Sequence, residues 1–349
     1  LGKGAMGTVF LVHDTSTDPN AAATFALKVV DKSTFLFKSD AERRARWETR
    51  VLSRLTTDPY RHPFLPQLIS CFEDHDFLAW SVPYCSGGDL NALRHRQTDR
   101  VFSPAAARFY LAEIVVALHH LHTRLGLAFR DLKPENVLIQ GSGHVTLSDF
   151  DLSRSLSVGS KLKKASKPAR VIPVGTPEER SNSFVGTEEY VAPEVVRGDG
   201  HEFAVDWWAL GVLAYEMVYG VTPFKGKSRK ETYRNVLYKE PEFVGKRSEL
   251  TDLIQRLLHK DPTLRLGYLR GAQEIMDHPF FDGVRWDMLT DVLRPPFIPS
   301  TEEEDGEVTT FGIREYFDRL RAPPEKTPAS FSFPPSPNHE PEEVSFAEF

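Results

Sequence analysis

The stretch FRDLKPEN at residues 129–136 decides how this sequence is interpreted. A second motif, DFD at 149–151, follows it, and APE stands further on at 192–194. Upstream, FALK at 25–28 ends on a lysine inside a short apolar run. Each motif is short enough to occur by accident, but the order and spacing of all four together are not accidental. They indicate one plan that extends over most of the chain.

The length and composition indicate a folded chain with two lobes. Its 349 residues exceed the roughly 100–200 of one typical domain. Two cysteines, Cys71 and Cys85, exclude a disulfide framework and suit a reducing compartment. No apolar run approaches the roughly 20 residues that a membrane span needs. Because the chain opens on Leu1 and runs directly into glycines, we expect the natural N-terminus to be missing.

The net charge of -6, from 43 Lys+Arg and 49 Asp+Glu, argues against a molecule-wide basic surface for nucleic acid. The charges are unevenly placed. Residues 297–349 carry 12 acidic and 4 basic residues, and residues 155–183 carry 6 basic and 2 acidic ones. The rest of the chain is therefore close to neutral.

Apolar periodicity predicts a β-rich start and a helical remainder. Residues 8–12 and 25–30 read as strands, and residues 41–55 carry apolar side chains at helical spacing. A helix is predicted to begin at Pro104 with Ser103 as its N-cap. Its apolar stripe consists of Leu111, Ile114, Val115, Leu118 and Leu121. Residues 206–219 are apolar on nearly every face, which predicts a central buried helix.

Two segments lack this periodicity. Residues 155–183, rich in Ser, Lys and Pro, are predicted to form an inserted loop. Beyond Pro295 and Pro296 the chain is acidic and rich in Pro, Ser and Phe, and we expect an extended strap over the surface.

The N-terminal glycines have more than one interpretation. Gly2, Gly4 and Gly7 form G-x-G-x-x-G, and Val9 completes the longer G-x-G-x-x-G-x-V pattern. Glycines let backbone N–H groups approach phosphate oxygens closely. A dinucleotide-binding unit would require these glycines to open a helix, whereas the residues after them read as a strand. A turn with accidental glycines is the third alternative.

Taken together, the motifs resemble the AGC group of serine/threonine protein kinases. The DFD variant, the insertion after it and SNSFVGTEEY at 181–190 resemble the plant AGC kinases of group VIII. Within that group, residues 198–232 and 311–317 are similar to the UNICORN and UNICORN-like kinases.

The resemblance implies an α+β, bilobal protein-kinase-like fold. A small β-rich N-lobe would cover residues 1–80, truncated at its N-terminus. The helical C-lobe would cover 81–281, with the basic insert 155–183 in its activation segment. An AGC C-terminal tail would cover 282–349 and end in a hydrophobic F-x-x-F motif.

The resemblance also implies the roles of the motif residues in transfer from ATP. Lys28 would hold the α- and β-phosphates and pair with Glu48, while Asp131 would accept the proton of the substrate hydroxyl or orient it. Lys133 would face the γ-phosphate, and Asn136 and Asp149 would bind Mg²⁺. The implied ATP-binding residues are Gly2, Gly4, Gly7, Val9, Ala26, Lys28, Pro83, Cys85, Asp89 and Leu138. A surface salt bridge and solvated loop charges are the plainer alternatives for single residues.

One position departs from the resemblance. These kinases usually carry glycine after Asp-Phe, where this sequence has Asp151. If the backbone there required a positive φ, a non-glycine residue would cost about 1–2 kcal/mol. Plant kinases with this variant are regarded as active, so we expect an ATP- and Mg²⁺-dependent kinase. A pseudokinase that serves as a binding scaffold is the alternative.

Regulation is implied in the same way. Ser183 would be the activation-loop phosphoacceptor, and Arg130 the partner for its added charge of about -1.5 to -2. The ending FAEF, with Phe346 and Phe349, resembles the motif that docks on the small lobe and recruits the phosphoinositide-dependent upstream protein kinase. An ordinary loop serine and a disordered chain end are the alternatives.

Acidic residues at the places of Asp89, Glu135 and Glu216 meet basic side chains of the substrate in related kinases. We therefore expect protein substrates with Arg or Lys two or three residues before the phosphorylated Ser or Thr, while helical surface charge is the alternative for Glu216. Nucleic acid is not expected as a substrate, and the protein is expected to be a monomer.

The segment SKLKKASKPAR at 160–170 carries five basic residues and no acid. It could contact anionic lipid headgroups, serve as a nuclear import signal or be a solvated loop, and the sequence does not favour one of these. We accordingly expect a cytoplasmic protein with a plasma-membrane or nuclear location as alternatives.

Overall fold

The structure is a computed structural model. It describes residues 1–4, 7–13, 24–36, 40–156, 188–200, 202–291, 295–299 and 315–318. By its internal contacts the chain divides into two units, Leu1–Glu302 and Glu303–Phe349. In the second unit, the described residues Glu315–Asp318 form one helical turn. All elements below belong to the first unit.

The small lobe is built on an antiparallel sheet. Its strands are β1 (Gly2–Lys3), β2 (Thr8–His13), β3 (Thr24–Asp31), β4 (Ser70–Glu73) and β5 (Phe77–Pro83). They lie in the order β1-β2-β3-β5-β4, which places β3 at the centre. Both predicted strands are confirmed. The glycines lead into β2 rather than into a helix, so the dinucleotide-binding alternative is wrong.

One long helix, α1 (Ala41–Thr56), accompanies this sheet, as the spacing at 41–55 predicted. It buries one face because apolar residues recur every three to four positions. That face consists of Ala41, Ala45, Glu48, Val51, Leu52 and Leu55. Glu48 is the one charged residue on it, and the next subsection shows why it is tolerated there.

The larger lobe is helical. Its helices are α2 (Leu90–His95), α3 (Pro104–His120), α4 (Pro193–Arg197), α5 (Ala204–Tyr219), α6 (Arg229–Tyr238), α7 (Glu249–Leu257) and α8 (Ala272–Met276). Helix α3 begins as predicted, because the Ser103 hydroxyl accepts from the backbone N–H of Ala106 at 3.2 Å. Its predicted stripe is fully buried. Nearly all of α5 is buried, which confirms the central helix.

Short strands hold the loops that carry the deciding motifs. Strands β6 (Leu127–Ala128) and β9 (Arg154–Ser155) pair antiparallel, as do β7 (Val137–Ile139) and β8 (Val145–Leu147). Residues 129–136 therefore lie between β6 and β7, and residues 149–151 between β8 and β9. These two ladders bring the two loops side by side beneath the small sheet. The α+β, bilobal fold expected from the sequence is confirmed.

The predicted insert and tail lie mostly outside the described residues. Residues 157–187 and nearly all of 300–349 are not described. Of the predicted tail, residues 282–291, 295–299 and 315–318 are described, and Phe297 packs against the core. No helix among the described residues combines the length and apolar character that a membrane span requires.

Candidate active site

Lys28 connects the two lobes. Its Nζ, in the central strand β3, donates to both carboxylate oxygens of Glu48 on α1, at 2.8 and 3.0 Å. The same Nζ lies 2.7 Å from Oδ1 of Asp149 in the larger lobe. Burial disfavours the cation, but the carboxylates of Glu48 and Asp149 outweigh it and raise the pKa of Lys28. Burial in turn raises the pKa of Glu48 to about 7. The predicted Lys28–Glu48 pair is therefore present.

Asp131 is fixed in orientation by its own loop. Lys133 Nζ lies 2.9 Å from Asp131 Oδ2. Asn136 Nδ2 donates to the same oxygen at 2.7 Å and to the Asp131 carbonyl oxygen at 2.8 Å. Burial raises the pKa of Asp131, while the ammonium of Lys133 opposes the shift. The structure thus brings the three predicted polar residues of 129–136 together around one carboxylate.

Asp206 holds this loop from below. Its carboxylate is fully buried at the start of α5 and accepts from the backbone N–H groups of Phe129 at 2.8 Å and Arg130 at 2.7 Å. It also lies 2.7 Å from Nε2 of His122. Arg130 has a positive φ of 69°, which these bonds stabilise. Sequence reasoning missed Asp206, although an acid at the head of an otherwise apolar helix was a usable signal.

The DFD segment does not have a positive φ at its third residue, Asp151. Asp149, not Asp151, has the positive φ, at 60°. The condition for strain at Asp151, a positive φ, is therefore not met, and no left-handed residue is needed there. Phe150 is fully buried with its ring edge-on to Phe129, 5.1 Å between centroids. This burial anchors the segment, and the carboxylate of Asp149 lies half-exposed next to it.

The strand register aligns three of the predicted nucleotide-binding residues on one face of the small sheet. Val9 is paired with Lys28, and Ala26 precedes Lys28 by two positions, so the three side chains share that face. Since Lys28 reaches Asp149, this is the face that looks toward the larger lobe. Leu138 approaches from the larger lobe, where its backbone forms a bridge with Asp89.

The residues after β5 form the connection between the lobes. Pro83 ends β5 and is exposed, and Cys85 is buried. Proline has no N–H to donate, so the backbone of Pro83 offers only its carbonyl oxygen, while the backbone of Cys85 offers an N–H as well. Burial raises the pKa of the Cys85 thiol to about 11, so the thiol stays protonated.

The glycine loop is a tight turn against the sheet. The N–H of Gly4 donates to the carbonyl oxygen of Gly7 at 2.8 Å. A Cβ at Gly7 would collide with the carbonyl oxygen of Val29, so this position requires glycine. At Gly2 and Gly4, a Cβ would lie no closer than 3.8 Å to any atom of the described residues other than the chain neighbours, so a side chain would fit there.

The three acids assigned to substrate recognition have different surroundings. Asp89 caps α2 by accepting from the backbone N–H of Ala92 at 2.7 Å. Glu216 lies 3.2 Å from Arg94 and accepts from the Tyr190 hydroxyl at 2.5 Å. Glu135, in the loop of residues 129–136, is exposed. Ser183, Phe346, Phe349 and residues 160–170 lie outside the described residues.

The donor set of the cleft fits Mg²⁺ bound together with phosphate. Among the described residues, no group of three or more His, Cys, Asp or Glu side chains forms a metal cage of protein ligands alone. Mg²⁺ commonly uses only one or two protein oxygens and takes the rest from phosphate and water. Asp149 offers a carboxylate, and Asn136 offers Oδ1 because its Nδ2 is engaged by Asp131.

The arrangement combines a cation shared by two lobes, an oriented carboxylate and hard oxygen ligands next to it. Fold and site together define a nucleotide-dependent phosphotransferase of the protein-kinase type. A scaffold without catalysis, the alternative raised above, would not require these contacts.

Comparison with known proteins agrees with this class. A family model described as "Protein kinase domain" matches residues 1–281. Two Arabidopsis thaliana relatives, "Serine/threonine-protein kinase UCN" and "Serine/threonine-protein kinase UCNL", are each 56% identical. The first alignment covers 93% of this chain and 89% of the relative, and the second 99% and 91%. "Serine/threonine-protein kinase OXI1" of the same plant is 42% identical over 87% of this chain and 78% of its own length.

The chain therefore belongs to the protein kinase family and is a serine/threonine protein kinase. The resemblance to plant AGC kinases drawn from the sequence is confirmed.

Proposed function

We propose that this kinase transfers the γ-phosphate of ATP to protein Ser or Thr hydroxyls. The residues that act are those of the cleft that contains Lys28, Glu48, Asp131 and Asp149. The observation that carries the proposal is Lys28 Nζ bound at once to Glu48 and Asp149, across the two lobes. This contact holds one cation between the two lobes, where it can stabilise the negative charge of the phosphates.

The chain's own residues divide the work of the transfer. Lys28, held by Glu48, binds the α- and β-phosphates, and Lys133 meets the charge of the transferred group. Asp131 receives or orients the hydroxyl proton, and the bonds from Lys133 and Asn136 fix its carboxylate for that task. Mg²⁺, held by Asn136 and Asp149, supplies positive charge next to the phosphates.

Nucleotide binding is proposed for the residues around the same cleft. Their positions on one sheet face and in the connecting stretch support a slot for a flat base. The proposed binding residues are Gly2, Gly4, Gly7, Val9, Ala26, Pro83, Cys85, Asp89 and Leu138.

Phosphorylation of Ser183 is proposed to activate the kinase, with Arg130 as the phosphate partner. The surroundings of Arg130 support this. Burial and, after it, the like charge of Arg154 lower the pKa of Arg130. A phosphate dianion nearby would oppose both effects because it stabilises the charged guanidinium. Arg154 pairs with Ala128 across β6 and β9, beside the catalytic loop.

A preference for Arg or Lys upstream of the phosphorylated residue is proposed from three acids. Glu135 is exposed and supports this best. Glu216 is fixed by Arg94 and Tyr190, and Asp89 keeps one carboxylate oxygen beyond its helix cap. Acids held in place lose less entropy on binding a basic side chain.

The remaining proposals concern partners and location. Phe346 and Phe349 are proposed to dock on a small lobe and recruit the phosphoinositide-dependent upstream kinase, since two buried Phe side chains contribute roughly 1.5–3 kcal/mol each. Residues 160–170 are proposed as a contact for anionic lipid, with nuclear import as the alternative. We propose a monomer in plant signalling, including growth and development.

The test is transfer of radiolabelled phosphate from ATP to a library of Ser and Thr peptides, with and without Mg²⁺. Asp149→Asn is expected to abolish transfer because it removes a charged Mg²⁺ ligand and a partner of Lys28. Asp282→Asn, the same change at an exposed aspartate, is the control and should keep wild-type turnover. Wild-type turnover in Asp149→Asn would contradict the site, and a preference for acidic peptides would contradict the substrate proposal.

A further inference from the structure

Asp151 is a buried carboxylate where kinases with the Asp-Phe-Gly motif carry glycine. Its side chain is 7% exposed, and Oδ2 accepts from both Nε and Nη2 of Arg44 on α1, with the Nε contact at 3.1 Å. The Arg44 side chain is itself only 16% exposed. A carboxylate buried to this degree carries a large desolvation penalty unless an opposite charge lies close. Arg44 is the cation that makes an acid tolerable at this position.

The need for this cation follows from the other charges of the cleft. Burial first, and then the carboxylates of Asp149 and Asp151, raise the pKa of Glu48 against the opposing effect of Lys28. Burial also raises the pKa of Asp131, and Asp151 adds to that shift. Asp151 therefore stands among acids of its own sign. Arg44 adds a third cation to a cluster that would otherwise depend on Lys28 and Lys133.

Arg44 belongs to a face of α1 that contacts the DFD segment repeatedly. Residues 44, 47 and 48 lie on one side of a helix because they are three and four positions apart. Trp47 Nε1 donates to Ser153 Oγ at 3.0 Å, and that hydroxyl donates to the Phe150 carbonyl oxygen at 2.6 Å. Glu48 binds Lys28 one position further along the helix. Three successive contacts thus connect one helix face to residues 149–153 and to the phosphate-binding lysine.

We propose that Asp151 and Arg44 are positioning residues for phosphate transfer, and that their ion pair holds α1 against the DFD segment so that Glu48 stays on Lys28. This proposal rests on the proposed function of Lys28 in the cleft. An outward movement of α1 would carry Arg44 away and leave the buried carboxylate of Asp151 without its cation. Because unpaired buried charges are disfavoured, the pair favours the arrangement in which Lys28 is correctly placed.

The test compares Asp151→Asn, Arg44→Gln and the double variant in the full chain, with ATP and then a peptide substrate varied. Either single change is expected to lower kcat/KM for ATP by between about 2- and 30-fold, the range for residues that act through another group. KM for the peptide should stay unchanged, since neither Asp151 nor Arg44 is one of the three kinase acids proposed to bind the peptide. The double variant should be no worse than the more damaging single one, because both remove the same contact.

The control is Arg50→Gln, the same substitution on the same helix. Arg50 is exposed and donates to the backbone oxygen of Arg46, so its loss should leave kcat/KM for ATP unchanged. Amide hydrogen exchange provides a second readout. In Asp151→Asn, residues 41–56 should exchange faster than in the wild type, while α5 keeps its protection. Should Asp151→Asn fail to fold, Arg44→Gln tests the same pair from the helix side.

Wild-type kcat/KM for ATP in both single variants would overturn the proposal. So would a double variant whose loss is the product of the single losses, or exchange that rises equally in α1 and α5. Failure of the proposed function is a separate result, because it requires turnover to survive Asp149→Asn. An inactive Asp149→Asn together with an unaffected Asp151→Asn and Arg44→Gln would overturn the ion-pair proposal alone.

Discussion

The ion pair between Arg265 and Glu194 is the most deeply buried in the described part of the larger lobe, and its removal makes a quantitative prediction. The guanidinium has no exposed surface, and the carboxylate is 5% exposed. The two groups form a bidentate contact at 2.7 and 2.8 Å. Arg265 also donates to the carbonyl oxygens of Ala204 at 2.7 Å and His259 at 3.1 Å. Glu194, from the APE motif, is thereby anchored beneath α5.

Arg265→Met is the perturbation, because methionine fills a similar volume without charge. It leaves the Glu194 carboxylate buried without its partner, which costs about 3–5 kcal/mol of unfolding free energy. At about 1.4 kcal/mol per tenfold, this is a change of roughly two to three and a half orders of magnitude in the folding equilibrium. Adding Glu194→Gln removes the unpaired charge. The double variant is therefore expected to be more stable than Arg265→Met alone, by about 1–3 kcal/mol.

The assay is urea unfolding of the wild type, both single variants and the double variant, followed by tryptophan fluorescence and far-ultraviolet circular dichroism. Arg270→Met is the matched control, since Arg270 pairs with Asp277 on the surface and the same substitution there should cause no measurable loss. The reasoning is refuted if Arg265→Met costs under about 1 kcal/mol, or if Glu194→Gln brings no recovery in its background.

Two further predictions concern stability. Burial and the neighbouring His120 lower the pKa of His62 to about 4, and its neutral Nδ1 accepts from the N–H of Phe64. The unfolded state therefore binds more protons than the folded state between about pH 4 and 6.5, so acidification through this window should lower the unfolding free energy by up to about 3 kcal/mol. His62→Asn keeps a hydrogen-bond acceptor but does not titrate, so it should flatten this pH dependence of the unfolding free energy. Urea unfolding at several pH values measures it. An unchanged slope would contradict the assignment. Gly267→Ala should lower the unfolding free energy by about 1–3 kcal/mol, because φ is +91° and a Cβ would lie 2.7 Å from the Trp207 ring; wild-type stability would contradict it.

The elements could be predicted where local pattern decides them. The strands at 8–12 and 25–30 and the helix at 41–55 follow from apolar spacing, which reports the local backbone period. The start of α3 follows from Ser103 and Pro104, whose capping chemistry is also local. The importance of residues 129–136 came instead from their resemblance to a kinase motif, and the structure shows that Asp131 and Asn136, which lie close in sequence, contact each other directly.

The contacts that support the site could not be predicted in this way. Asp206 reaches the Phe129 amide from 77 positions away, and Arg44 reaches Asp151 from 107. No periodicity links such residues, since their approach depends on how whole lobes pack. Whether Asp151 has a positive φ could not be predicted for a related reason. A glycine in related sequences shows that the position tolerates glycine, whereas the backbone angle is set by the surrounding contacts.

The two left-handed residues at the proposed catalytic carboxylates show what those long-range contacts achieve. Arg130, at φ 69°, precedes Asp131, and Asp149 itself has φ 60°. A left-handed conformation costs about 1–2 kcal/mol for an ordinary residue, and arginine has no short side chain to offset it. At Arg130 the offset comes from the buried carboxylate of Asp206, and at Asp149 it comes from the burial of Phe150 and the bond to Lys28. Strain persists only where the surroundings over-determine it. The polar head of α5 is therefore as much a part of the site as the loop that it supports.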